Sequence, residues 1–204
     1  MYIPKTYKNE NPDEIRAFLK ANGFGILVNQ TNGKLWATHI PMILDTDDNG
    51  NEILHSHISK LNPQAEGFTE NDQVLAIFSG SHSYISSSWY DHENVPTWNY
   101  SAVHIYGRIK IVEQESALRS LKKLVDRYEA NSEKPIRIEN LSEKTMQEAR
   151  GIIGFEIEIE EIQAVKKLSQ NRDDKNYKNI ISELEKTQDM QAIAVAKEMG
   201  KCRK

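Results

Sequence analysis

The sequence predicts a mainly β, α+β chain: an antiparallel sheet closed toward a barrel, with helices at its margins. Three observations predict it. Short β-type runs crowd the stretch from residue 26 to residue 112, two strong hairpin turns join them, and helical spacing is confined to the flanks.

Asn11-Pro12-Asp13-Glu14 reads as a helix start, with Asn as cap, Pro in the first position and acids on the positive end of the dipole. Ile15, Phe18 and Leu19 form its apolar stripe, and Gly23 ends it. The β-type runs follow at Ile26 to Val28, Leu35 to Ile40, Ile53 to Ile58, Val74 to Phe78, Tyr84-Ile85 and Ala102 to Val112. Thr31-Asn32-Gly33 and Asp47-Asp48-Asn49-Gly50 are the hairpin signals. Between Ser79 and Gly107 lies a connector rich in Trp, Tyr, His and hydroxyls. So aromatic a loop folds over something flat: its own core, a partner subunit or a planar cofactor.

Helical spacing returns at Leu118, Leu121, Val125 and Tyr128, and weakly from Ser142 to Arg150. Phe155 to Glu160 alternates strictly, as a strand with one wet face does, and Val165 to Leu168 either continues it or pairs beside it. From Asp173 the chain reads as helical. The interruption at Ser169 to Lys175 is the one candidate linker, which divides the chain into a domain over 1–172 and a helical tail over 173–204.

Composition narrows the function. The 204 residues are 38% hydrophobic and 27% charged, which suits a globular chain. A formal charge of −4 gives nucleic-acid binding no help. A single cysteine, Cys202, offers no disulfide framework and no thiolate metal site. No stretch has the length of a membrane span and the amino end lacks a secretion-signal layout, so a cytoplasmic protein is expected.

Four constellations compete for chemistry. His55 and His57 share a strand face, yet no third ligand closes a metal site around them. Ser86, Ser87 and Ser88 stand near His82, His92 and Asp91, but no nucleophile elbow accompanies them. His55 to Pro63 is a strand running into a helix start. His57, Ser59, Lys60, Asn62 and free helix amides there make a donor set for a phosphomonoester. Lys166 to Arg172 adds a second group of cations and amides. Ala194 to Gly200 resembles the first helix and turn of a helix-turn-helix, with no recognition helix after it, and Lys201 to Lys204 reads as a frayed end.

These pieces together resemble a known family. MYIP at the start, ATHIP at Ala37–Pro41, HSHISKLNP at His55–Pro63, SYISSSWY at Ser83–Tyr90, VPTWNYSAVHIYG at Val95–Gly107 and KLSQN at Lys167–Asn171 follow the order seen in PaiB-type proteins. These are FMN-binding negative transcriptional regulators. The resemblance implies a split β-barrel of the pyridoxamine-phosphate-oxidase type, and a homodimer with FMN near the subunit interface. It places Thr38, His39 and Pro41 on the strand passing the flavin ring. It places His57, Ser59, Lys60 and Asn62 at the phosphate, and Trp89, Thr97, Trp98, Asn99 and Tyr100 in a covering loop. His104 falls on the strand leaving that loop, and Gln170, Asn171 and Arg172 in the KLSQN block. The family's phosphate turn often carries Arg where this chain has Lys60 or Leu61. An FMN-dependent oxidoreductase or flavin reductase is the alternative function, and a haem-binding or haem-degrading split barrel the second. No catalytic residue and no metal ligand is assigned, and DNA is a partner without a recognisable motif.

Overall fold

Asn32 and Gly33 take φ of 51° and 78°, the paired left-handed conformation that a two-residue hairpin demands. They join β1 (Phe24–Thr31) to β2 (Lys34–Pro41), which pair antiparallel along their whole length from Phe24↔Pro41 to Thr31↔Lys34. The second turn signal joins β3 (Ile43–Thr46) to β4 (Glu52–Ser59). Its first residue, Asp47, accepts from the amides of Asn49 and Asn51, and Gly50 takes a φ of 85°. The computed structural model describes residues 1–69 and 72–203.

Three long strands complete the sheet: β5 (Gln73–Ile85), β6 (Thr97–Ile111) and β7 (Ile152–Lys167). The order is β2-β1-β5-β6-β7-β4-β3, with β1 pairing β5 and β4 pairing β7, both antiparallel. Five α-helices accompany it: α1 (Pro12–Ala21), α2 (Gln114–Glu129), α3 (Glu143–Met146), α4 (Asp174–Lys186) and α5 (Met190–Cys202). Asn11 caps α1 by accepting from the amides of Asp13 and Glu14, at 3.0 and 3.2 Å. Asp173 and Asp189 cap α4 and α5 in the same way.

The expected loop from Ser79 to Gly107 is mostly strand. β5 runs on through Tyr84-Ile85, β6 begins at Thr97, and only 86–96 connect them. Aromatic and hydroxyl side chains suit a pleated surface as well as a lid, and here the pleat takes them. Val165 does continue the last strand, which ends at Lys167. Ala194 to Gly200 lies inside α5, which passes Gly200 without a turn.

The chain divides into two compact units. One contains Leu19–Phe78 and His104–Ile162. Its core holds Leu27, Phe78, Ile105, Ile109 and Ile157, and Phe68 meets Phe155 edge-on at 5.2 Å. The other contains Met1–Phe18, Ser79–Val103 and Gln163–Lys204. There Ile85, Tyr90 and Leu168 pack with Tyr177, Ile180 and Leu184 of α4 and with Val195, Ala196 and Met199 of α5. The Tyr177 hydroxyl donates to the Met199 carbonyl at 2.8 Å, tying the two helices together. Arg203 is no frayed end: its guanidinium donates to the carbonyls of Gln170 and Arg172, pairs with Asp174 and lies over the Tyr177 ring. Lys204 lies outside the described residues.

Candidate functional site

Thr38, His39, Pro41, His57, Ser59, Lys60, Asn62 and His104 belong to the unit of Leu19–Phe78 and His104–Ile162. β4 delivers its last residue, Ser59, to a tight turn. Asn62 closes that turn and caps a five-residue 3-10 helix, Pro63–Gly67, with Pro in the first position as the sequence predicts. Asn62 works twice. Its side-chain oxygen accepts from the Gln64 amide at 3.0 Å, and its Nδ2 donates to the Thr38 hydroxyl at 3.0 Å. Behind it Gln64 is fully buried and its Nε2 donates to the Leu27 carbonyl at 3.1 Å. These bonds fix the turn onto β1 and β2.

The expected free helix amides are already used. The Lys60 amide donates to the Gly151 carbonyl, that of Leu61 to the Ser59 hydroxyl, that of Asn62 to the Ser59 carbonyl and that of Ala65 to the Asn62 carbonyl. Pro63 has no N–H. The donors left for an anion are side chains: the Lys60 ammonium, which makes no ion pair among the described residues, the hydroxyls of Ser59 and Thr38, and the second N–H of Asn62. One permanent cation among hydroxyls and an amide fits a phosphomonoester.

His57 takes the face of β4 that strand alternation gives also to His55 and Ser59. It pairs with Gly154, and residues directly opposite on antiparallel strands point to one face. The Cβ direction of Gly154 leads to Ala117 of α2, so His57 and His55 lie on the α2 side of the sheet. Burial holds the His57 ring below its ordinary pKa. His39 is exposed and stacks on Phe24 at 6.2 Å, while the Pro41 carbonyl accepts from Ser56. His104 is half-buried on β6. Its Nδ1 is buried without a partner, and burial lowers its pKa too.

The remaining predicted residues belong to the other unit. Trp98 is 52% exposed on β6, with His82 at 5.6 Å and Tyr84 edge-on at 6.1 Å. A shallow hollow of about 350 Å³ lies beside them, lined also by Gly80 and Tyr100. His82 entered the sequence reading only beside the serines and Tyr84 only as part of a strand and a motif, although their period-two spacing places both on one strand face beside Trp98. Trp89 instead packs against the α4–α5 cluster, and its carbonyl accepts from Asn179. Asn99 is fully buried, accepting from the Ser169 hydroxyl and donating to the Met199 sulfur. Thr97 accepts from the Lys167 ammonium. Gln170 spends its side chain on Leu168 and Lys166, Arg172 lies over the Tyr90 ring at 5.0 Å, and Asn171 is exposed. Of this group Trp98, Tyr100 and Asn171 keep side chains open to a ligand.

Comparison with known proteins places the chain in a family and a fold. The family model described as "Putative FMN-binding domain" matches residues 1–161. Protease synthase and sporulation protein PAI 2 of Bacillus subtilis is 41% identical over 200 residues, covering 98% of this chain and 96% of its own. Among solved structures, the flavocytochrome Anf3 from Azotobacter vinelandii superposes with a TM-score of 0.63 at 15% identity, over 87% of this chain and 78% of its own. The FAD and heme binding protein from Mycobacterium smegmatis gives a TM-score of 0.61 at 14% identity, over 79% and 73%. At such low identity these two carry the fold, a split barrel, and nothing finer. The chain belongs to the FMN-binding domain family, with FMN as its cofactor.

Proposed function

We propose that this chain is an FMN-binding protein of the PaiB type, acting as a homodimeric negative transcriptional regulator or flavin-based sensor. The observation that carries the cofactor part is the Ser59–Asn62 turn, whose backbone donors are consumed and whose Lys60 ammonium makes no ion pair among the described residues. Lys60, Ser59 and Asn62 hold the phosphate. FMN, when bound, supplies reversible one- and two-electron chemistry. The regulatory part is supported by the 41% relative, whose name concerns protease synthesis and sporulation.

The purified protein tests this directly. Its absorbance spectrum should show oxidised flavin, or flavin should appear on adding FMN. A Soret band or a colourless, unresponsive protein refutes the reading. Lys60→Ala should weaken FMN by about tenfold or more while leaving riboflavin unchanged, because only FMN carries the dianion. Equal losses for both ligands would remove Lys60 from the phosphate.

A further inference from the structure

A second polar cleft, of about 560 Å³, lies on the α2 side of the sheet within one unit, away from the turn assigned to phosphate. Its deepest groups are unusually short of hydrogen-bond donors. The Glu156 carboxylate is only 19% exposed, and no donor among the described residues reaches it. Its polar neighbour is Nδ1 of His55, at 3.7 Å. That nitrogen is itself buried without a partner. The other His55 nitrogen stands 3.5 Å from Asp45, which is engaged by the Lys123 ammonium. Ser120 of α2 also lines the cleft, is 8% exposed and has a hydroxyl with no hydrogen bond among the described residues. Burial lowers the imidazole pKa against the pull of both carboxylates.

A mostly buried carboxylate without donors is costly. Water or a ligand rich in N–H groups relieves that cost, and the charge favours a cation. No metal explains the arrangement, since among the described residues no group of three His, Cys, Asp or Glu is placed to hold one. The rim adds the opposite sign. Lys110 makes no ion pair among the described residues, and Arg119 is tied only by exposed contacts to Glu115 and Ser116. Surface pairs of that kind are weak and can be re-aimed.

We propose that this cleft binds a small zwitterion, an amino acid or short peptide. Its ammonium sits against Glu156, His55 and Ser120, and its carboxylate meets Lys110 and Arg119. Acidic rim residues such as Glu158 set the orientation, keeping the carboxylate toward the cationic side. The proposal does not depend on the flavin reading, and it names a second input to the same chain.

Thermal unfolding of the full chain at pH 7.5 tests it, with glycine, diglycine and triglycine as probes of increasing charge separation. Methylammonium and acetate, alone and together, are the controls. One of the three zwitterions should raise the midpoint in a saturable way, and the single-charge fragments should not. Glu156→Gln should weaken that ligand by about tenfold or more, since it removes the charge and brings its own N–H to His55. Ser120→Ala, a smaller change for the fold, should weaken it by about threefold. No response to any zwitterion overturns the proposal, and so does an unchanged response in both variants. A response to methylammonium alone overturns the zwitterion in favour of a simple cation site, and one to acetate alone overturns the ammonium assignment.

Discussion

His57 shows how far a residue's chemistry depends on the face it takes. In the sequence it stands two places before Ser59 and reads as a phosphate donor. In the fold it pairs with Gly154 and lies on the α2 side, with desolvation as the cause of its lowered pKa and no charged group contributing. A histidine whose folded pKa is depressed stays neutral while the unfolded chain takes up its proton near pH 6.5. The contribution to stability is therefore complete above that pH and is lost as pH falls through it. His55 and His104 are depressed in the same direction, burial being the first cause in each. The melting temperature should accordingly fall between pH 7.5 and pH 5.5, by about 2–4 °C for each kcal/mol lost in a chain of this size. His57→Gln should flatten that slope without removing it. A flat wild-type profile, or a variant as steep as wild type, contradicts the account. The cap at Asn62 and Pro63 was legible because capping acts locally. What covers the face of His57 was not, because the strand opposite it and the helix over it come far later in the chain.

Among the elements, the hairpins were legible to the residue because a left-handed backbone at Asn32-Gly33 admits few side chains. β5 and β6 were foreshortened for the opposite reason. Their aromatic and hydroxyl residues serve a strand face or a lid equally well, and composition does not choose between them. The approach of α2 to β7 left another mark that carries meaning only in three dimensions. A methyl group at Gly154 would stand 2.3 Å from Cβ and 2.9 Å from Cα of Ala117. Gly154→Ala should therefore lift α2 from the sheet and cost about 1–3 kcal/mol in urea unfolding. Adding Ala117→Gly removes the nearer collision but not the second, so it should restore part of the loss and not all of it. If Gly154→Ala is neutral, α2 does not seat as closely as this contact requires.

Over the whole molecule, the sheet order β2-β1-β5-β6-β7-β4-β3 was beyond a pattern reading, since periodicity records which side of a strand is dry and not which strand lies beside it. The same pairing exposes a surface that hairpin signals alone do not announce. Phe24, Ile26 and Val28 of β1 share a face with Leu35, Ala37 and His39 of β2 and with Leu75 and Ile77 of β5, through the pairs Ile26↔His39, Val28↔Ala37, Ile26↔Ile77 and Val28↔Leu75. Phe24 is 62% exposed and Leu35 73%. Contiguous apolar surface of this kind marks an interaction site in a water-exposed protein, and a second copy of the chain is the occupant that the family resemblance implies. Leu35→Asp places a charge at the outer edge of that face, on its most exposed apolar side chain, while leaving the Ser59–Asn62 turn untouched. On the proposed homodimer, sedimentation should show a dimer for the wild type and a monomer for the variant, with circular dichroism unchanged. If FMN lies near the subunit interface, the monomer should also retain less of it through gel filtration. A Leu35→Asp protein that stays dimeric moves the interface elsewhere, and a monomer that keeps its full flavin confines the cofactor to one chain.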